Sequence, residues 1–342
     1  MINWGIIGLG VIGEKFASAF TNLPNAKLIG LASRDIEKLK TFKNKFNIDK
    51  EYCFNDYKSL IDCDKVDAIY IALPHNYHYE WILKCLESNK SVLTEKPATV
   101  NLNQINEINN YLDKNKIFFA EGFMYRYHPQ TTEIIKIIRD NLIGELIKME
   151  SYFGLNLIMK RNIFGFKRIK MNKNHRLFNK SLAGGCIFDL GCYPSSMSIL
   201  ISDLKSKENP LEIILKNKKV EFGPTQVDID SYTELDFQNN FKSYIGCSFK
   251  KNIGKKTKIF GTKGTIEIED SWHCSPVKIN LNGKFYEYND LKYENIFSYE
   301  IESVSQSIMD GNIDPKYPAI DRVGTARNIE ILDKWQNIQQ KN

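Results

Sequence analysis

Short apolar runs alternate with amphipathic stretches through the first third of the chain. Ile2 to Leu9 is an apolar run of strand length, Ile12 to Asn22 reads as an amphipathic helix, and Ala26 to Ser33 is a second strand set off by the Pro24-Asn25 turn. Asp35 stands where it can cap the helix that follows. Ala68 to Leu73 is a fully apolar strand entered from Asp67, Tyr79 to Ser88 is a helix, and Ser91 to Thr94 is a further strand. This series predicts a parallel sheet with right-handed crossovers. From about Phe123 the texture changes. Ile147 to Phe153, Glu212 to Phe222, Tyr232 to Phe237, Ser243 to Phe249, Thr257 to Phe260, Thr265 to Glu269 and Val277 to Asn282 are short strands between turns, the pattern of a largely antiparallel sheet. Helices are expected over Thr131 to Asn141, after Gly185, over Glu300 to Asp310 and from Asp321 to about Gln339. No internal repeat or low-complexity linker interrupts the chain.

The expected fold class is therefore α/β. Residues 1–122 form a doubly wound parallel sheet, and residues 123–342 form a second α/β domain with a large, mostly antiparallel open sheet, the last helix being free to pack back on the first domain. The cleft between the two is where a site is expected.

Composition narrows the class without changing the picture. At 342 residues the chain exceeds one typical domain, and its 42% hydrophobic and 26% charged residues are ordinary for a globular protein. The net charge of +6 is spread along the sequence rather than gathered in a block, which argues against a nucleic-acid partner and suits an anionic cofactor. Seven cysteines, at 53, 63, 85, 186, 192, 247 and 274, include no C-x-x-C pair. Free thiols in a reducing cytosol fit them better than a disulfide framework or a zinc site. No charged leader precedes the first strand and no apolar run reaches membrane-spanning length, so a cytoplasmic protein with no membrane partner is expected.

The chemistry begins at Gly8-Leu9-Gly10-Val11-Ile12-Gly13, directly after the first strand. A buried strand, G-x-G-x-x-G and a helix bring backbone N–H groups up to a pyrophosphate. Gly8 serves the tight turn, Gly10 lacks the Cβ that would block the phosphates, and Gly13 lets helix and strand pack closely. The second strand ends in Ser33-Arg34-Asp35, where an NAD enzyme usually places an acid for the ribose 2′-hydroxyl. A small hydroxyl residue followed by arginine suits a 2′-phosphate, which points to NADP, with NAD possible. The alternative is a solvated loop arginine beside a capping Asp35. Leu73, Pro74 and Asn76 end another strand and are read as cofactor-lining. His78, by its position, is read as a helix-start packing residue. Glu95-Lys96-Pro97 closes the next strand, and the residue before a proline is held extended, so Lys96 can aim its ammonium into the cleft; taken alone it is equally a surface lysine beside a turn.

Gly8 to Gly13, Ala32-Ser33-Arg34, Leu73-Pro74-x-Asn76-x-His78, Glu95-Lys96-Pro97 and Glu121-Gly122-x-x-x-Arg126-x-x-Pro129 resemble, in order and spacing, the Gfo/Idh/MocA oxidoreductase family. The likeness covers nearly the whole length, later segments such as Ile259 to Thr265 included. It implies an N-terminal Rossmann domain whose cofactor contacts include His78, Glu95, Lys96 and Pro97. It also implies a C-terminal α/β domain with an open sheet, and a cis peptide before Pro97.

A second centre is Ala183 to Pro194. Gly184-Gly185 can open a helix that approaches a ligand closely, and Asp189 and Tyr193, four apart, share one helical face. From the residues alone, Tyr193 is a packed helix tyrosine with Asp189 as its hydrogen-bond partner. Tyr193 resembles the branch holding glucose-fructose oxidoreductase and dimeric dihydrodiol dehydrogenase, with Arg176-Leu177 and Leu182 to Gly185 in support. That resemblance implies that Tyr193 is the general acid/base, that Lys96 lowers its pKa and polarises the substrate oxygen, and that Asp189 orients the substrate hydroxyl or Lys96. Tyr125, Arg126, His175 and Arg176 are candidates for the substrate side. No H-x-x-x-H or H-E-x-x-H spacing occurs among the five histidines, and the scheme requires no metal. The expected enzyme moves a hydride between a nicotinamide and a sugar, polyol or vicinal diol. Alternatives are an enzyme that retains its cofactor while cycling between two sugars, and a non-catalytic NADP sensor. A homodimer is expected from the apolar alternation of the C-terminal strands, read as a sheet face that a second subunit covers.

Overall fold

The apolar runs of the first third become a six-stranded parallel sheet of order β3-β2-β1-β4-β5-β6. Its strands are β1 (Ile2–Ile7), β2 (Ala26–Ala32), β3 (Cys53–Phe54), β4 (Ala68–Ile71), β5 (Ser91–Glu95) and β6 (Phe119–Gly122). They alternate with α1 (Val11–Ala17), α2 (Ile36–Phe46), α3 (Tyr57–Ile61), α4 (His78–Glu87) and α5 (Leu102–Asn115). This is a computed structural model, which describes residues 1–162, 165–168, 171–205, 212–275, 278–287 and 291–337. Local chemistry sets the helix ends. The Asp35 side chain accepts the Lys38 N–H and Asn47 closes α2 in the left-handed region, while Asn101 accepts the Gln104 N–H at the start of α5.

Next come α6 (Pro129–Arg139), β7 (Leu146–Gly154), the ribbon β8 (Met159–Asn162) and β9 (Gly165–Arg168), and α7 (Cys192–Lys205). The strands β10 (Ile214–Phe222), β11 (Asp228–Asp236), β12 (Lys242–Ser248), β13 (Thr257–Gly261), β14 (Thr265–Ile268), β15 (Lys278–Leu281) and β16 (Lys284–Glu287) follow. With β7 they form an eight-stranded sheet, β10-β11-β12-β7-β13-β14-β15-β16. All its pairings are antiparallel except β12 with β7, which is parallel. Of the strand expected over Val277 to Asn282, Val277 lies outside the described residues, as do the last residues of the expected terminal helix from 338 on. The chain closes with α8 (Ile296–Met309) and α9 (Arg322–Gln336).

Two compact units result: residues 1–128 with 292–326, and residues 129–291 with 327 onward. In the first unit α8 covers β1. The Trp4 indole N–H donates to Ser305 Oγ at 2.9 Å, and Phe16 stacks on Tyr70 at 3.5 Å between ring centroids. A buried tryptophan thus has its polar end satisfied. In the second unit Met149, Phe153, Ile245, Cys247, Ile259 and Ile266 fill the buried face of the sheet. The alternate positions, Lys148, Glu150, Tyr152, Tyr244, Lys258 and Glu267, form the other face, with ion pairs such as Lys148–Glu150 at 2.6 Å and Lys258–Glu267 at 2.5 Å. This corrects the reason given for a dimer: the apolar alternation is spent on the unit's own core, and the other face is charged and aromatic.

Candidate active site

In the N-terminal unit the chain leaves β1 through Gly8, whose φ of +95° is left-handed; a Cβ there would lie 2.4 Å from Ala72 O. Gly13 packs against the same turn, since its Cβ would lie 2.5 Å from Gly8 O. Gly10 is different. Among the described residues nothing stands within 4 Å of the place its Cβ would occupy, and no side chain caps α1. Ile12 is half-buried, and Val11 stands 76% exposed.

At the tip of β2, Ser33 Oγ is buried and accepts the Asp35 N–H at 3.1 Å. Asp35 itself caps α2, as the plainer reading had it. Arg34 is exposed, with its guanidinium 5.7 Å from the centroid of the Tyr57 ring. A cavity of about 390 Å³ opens here, lined by Arg34, Tyr57, Lys58, Pro74, Tyr77 and Trp81 among others. Tyr57 and Trp81 meet edge to face at 4.8 Å. Leu73 lies on the same cavity. Asn76 Oδ1, one turn on, is buried with no hydrogen-bond partner among the described residues.

Lys96 follows β5 and is buried, and its peptide to Pro97 is cis. Glu95 accepts the Tyr70 hydroxyl. His78 is fully buried, with Nδ1 2.8 Å from Pro97 O and Nε2 2.7 Å from Leu73 O. Glu121, at the end of β6, accepts the Ala98 N–H at 2.9 Å. Burial pushes its carboxyl up to about 7, against the Ala98 bond and the Arg126 and Lys96 cations, which favour the charged form. Tyr125 is fully buried against Phe123, and Arg126 is buried with Nη1 donating to Pro318 O at 3.1 Å.

In the C-terminal unit Gly185, at φ +125°, turns the chain toward α7; a Cβ there would lie 2.3 Å from Asp228 Oδ1. Residues Ile187–Gly191 form a wide π-helical turn that runs straight into α7. Pro194 has no N–H for the carbonyl four residues back and crowds it, which accounts for the wide turn just upstream. Such turns recur at functional sites. Asp228 on β11 anchors the turn, its Oδ2 accepting the Ile187 N–H at 2.7 Å and its Oδ1 the Gln336 amide at 3.1 Å. Asp189 sits in the turn and accepts from Arg176 Nη1 at 3.0 Å. Tyr193, 7% exposed, lies edge-on to Phe153 at 5.4 Å and 5.6 Å from Trp272. His175 is exposed and accepts the Leu177 N–H.

The family model described as an oxidoreductase family with an NAD-binding Rossmann fold, Gfo/Idh/MocA, matches residues 2–123, and the Gfo/Idh/MocA C-terminal domain model matches residues 131–267. The chain belongs to the Gfo/Idh/MocA oxidoreductase family. Over 319 residues it is 28% identical to trans-1,2-dihydrobenzene-1,2-diol dehydrogenase of Xenopus tropicalis, spanning 90% of this chain and 89% of that protein. Over 320 residues it is 24% identical to the human protein of that name, spanning 91% and 89%. The aldose-aldose oxidoreductase of Caulobacter crescentus, complexed with glycerol, superposes with a TM-score of 0.80 at 19% identity, over 98% of this chain and 96% of that one. A 3-ketoreductase from Actinomadura kijaniata, solved with NADP and TDP-benzene, gives 0.79 at 19% identity, over 97% and 96%. These structural likenesses establish the shared fold.

In this Gfo/Idh/MocA enzyme the strand edges carry the residues that spacing singled out, and partners from distant elements hold them. Tyr57, Tyr77 and Trp81, which line the slot beside Arg34, carry no motif and were not singled out. Asp228 left one signal: an acid in Val-Asp-Ile-Asp, within an otherwise strand-forming run, is out of place unless something binds it. Among the described residues no helix is long and apolar enough to cross a membrane.

Proposed function

We propose that this family member is an NADP-dependent oxidoreductase acting on a secondary alcohol or carbonyl of a sugar, polyol or vicinal diol. The observation that carries the cofactor choice is the tip of β2. The acids around it are engaged elsewhere, Asp35 capping α2, Asp56 capping α3 and Glu80 paired with Lys84, while Arg34 stands exposed beside an aromatic slot able to take an adenine. The clearance at Gly10 fits a pyrophosphate, and the unpartnered Asn76 Oδ1 is an acceptor left for a bound group. Gly8, Gly10, Val11, Ile12, Gly13, Ser33, Arg34, Leu73, Pro74, Asn76, His78, Glu95, Lys96 and Pro97 are the residues assigned to holding it. When bound, the nicotinamide supplies or takes the hydride.

The chain's own part is proton movement and orientation. Tyr193 exchanges a proton with the substrate oxygen, and Lys96 favours the phenolate and polarises that oxygen. Asp189 orients the substrate hydroxyl or Lys96, and Tyr125, Arg126, His175 and Arg176 are assigned to the substrate side. The full-length likeness to dihydrodiol dehydrogenases supports the diol class. Seven free cysteines suit the cytoplasm. A second copy covers the outer sheet face, where Tyr152, Tyr232 and Tyr244 stand among charges; light scattering tests the dimer.

The deciding experiment follows NADPH formation from NADP with aldoses, inositols and trans-dihydrodiols, with Tyr193→Phe and Arg34→Ala in parallel. Turnover that falls by about a hundredfold or more in Tyr193→Phe, with a KM for NADP that rises tenfold or more in Arg34→Ala, supports the reading. Full activity in Tyr193→Phe removes it from the acid/base role. NADPH binding without turnover across the panel would favour a sensor.

A further inference from the structure

Two buried ionisable side chains grip one peptide group. The carbonyl of Pro97 lies 2.8 Å from His78 Nδ1, and the N–H of the next residue, Ala98, donates to Glu121 Oε1 at 2.9 Å. Both belong to the Pro97–Ala98 peptide, one residue beyond Lys96. Its oxygen and nitrogen point in opposite directions, so the two side chains hold it from opposite sides, one from α4 and one from β6. The other nitrogen of His78 reaches Leu73 O at 2.7 Å, which ties this peptide to the strand end that carries Pro74. Both side chains are completely shielded from solvent.

We propose that His78 and Glu121 are positioning residues that set where Lys96 stands, by fixing the Pro97–Ala98 peptide between them. The inference rests on the reading that Lys96 acts at the substrate oxygen. A carboxylate accepts an N–H more strongly than the neutral acid does. The grip on the peptide is therefore firmer with Glu121 ionised.

The surroundings bear on Glu121 from every side. Arg126 and Lys96 favour its ionised form, and Glu300 on α8 packs against Gly122, its Oε1 3.6 Å from where a Cβ on that glycine would be. Glu300 in turn feels Glu95, and both Glu121 and Glu300 influence the Tyr127 hydroxyl. His75 faces the His78 ring at 5.8 Å. Burial holds Glu121 near 7, so its bond to Ala98 strengthens as pH rises through neutrality.

The test compares wild type, Glu121→Gln, Glu121→Leu, His78→Phe and Lys96→Ala. Trans-1,2-dihydrobenzene-1,2-diol and NADP serve as probes from pH 5.5 to 9, and hydrogen exchange follows the peptide containing Ala98. Wild-type kcat and Ala98 protection should both rise through about pH 7. Glu121→Gln, which keeps an acceptor but cannot ionise, should lose that rise in both. Glu121→Leu should lower kcat about tenfold or more, with NADPH affinity changed by less than about threefold, and His78→Phe should lower kcat by a similar factor. The proposal is overturned if the rise survives in Glu121→Gln, in kcat or, should the diol not turn over, in exchange alone. Wild-type kcat in Glu121→Leu and His78→Phe also overturns it. Where Glu121→Leu fails to fold, the Glu121→Gln profile decides. If Lys96→Ala retains turnover, the assignment of Lys96 fails instead, which the exchange result leaves untouched.

Discussion

Glu121 in the N-terminal unit and Asp228 in the C-terminal unit are both strand-borne, fully buried carboxyls, and each accepts a backbone N–H from a segment that bears a proposed catalytic side chain. They differ in what else they meet. Asp228 has a partner on each oxygen, the Ile187 N–H at 2.7 Å and the Gln336 amide at 3.1 Å. Among the described residues Glu121 has the Ala98 N–H on Oε1 and no full hydrogen bond on Oε2, with the nearby Thr325 hydroxyl favouring its ionised form, and Glu300 has no hydrogen-bond partner on either oxygen. Burial raises the pKa of all three acids. Where donors fill both oxygens, the carboxyl is a fixed anchor. At Glu121, where they do not, burial moves the titration up to about 7, at the cost of stability.

Removing the anchor should have the largest effect. Asp228→Ala leaves the buried Ile187 N–H and the half-buried Gln336 amide without an acceptor at the start of the turn that carries Asp189. Orphaned groups of this kind cost about 1–3 kcal/mol each, so roughly 3–5 kcal/mol of stability should disappear. Urea denaturation at pH 7.5 measures it. A loss below about 1 kcal/mol would mean that the turn holds itself and that Asp228 is no anchor.

Glu121→Gln should act in the opposite direction, and only at the higher pH. The unfolded carboxyl loses its proton near 4.5 and the folded one near 7. Between those values the folded state binds more protons than the unfolded state, so wild-type stability falls as pH rises, by up to about 3 kcal/mol once pH exceeds 7. Glutamine keeps an acceptor for Ala98 without that penalty. The variant should therefore exceed wild type by up to about 3 kcal/mol at pH 8, and the difference should vanish near pH 4.5. Denaturation at the two pH values checks this, and a difference that ignores pH would break the contrast with Asp228.

The same contrast marks how far the sequence could be read. Strand, turn and helix around Gly8 to Gly13 follow from neighbouring residues, and so do the apolar strands β1, β2, β4 and β5. Helix α5 is hard to read from its sequence because asparagines crowd it, although Ile105, Ile108 and Leu112 fall on its buried side. Lys96, Asp189 and Tyr193 were named from local motifs, whereas what holds them comes from far away in sequence: Glu121 lies 23 residues from Ala98 and Asp228 lies 41 from Ile187. No periodicity carries such pairings. Glu121 was quoted only as a letter of a motif, because nothing local tells a buried acid from a solvated one. The outer face of the eight-stranded sheet was misread for a related reason: alternation says that one face is apolar, not which neighbour covers it.

Arg176→Met should have the smallest effect on stability and separates anchoring from site chemistry in the C-terminal unit. Its guanidinium lies 3.0 Å from Asp189 Oδ1, but the Arg176 side chain is 50% exposed and that of Asp189 only 11%. An ion pair open to water on one side contributes at most about 1 kcal/mol, because solvent and salt screen it and a long side chain must be immobilised to make it. The variant should therefore unfold within about 1 kcal/mol of wild type. If Arg176 faces substrate, KM should rise several-fold while kcat changes little, since uniform binding is lost and no interaction special to the transition state goes with it. A large loss of stability would instead make Arg176 a second anchor for the π-helical turn. The division of labour would then shift: Asp228 would hold the start of the turn from below, Arg176 would hold Asp189 from outside, and the turn would be clamped on two sides much as the Pro97–Ala98 peptide is.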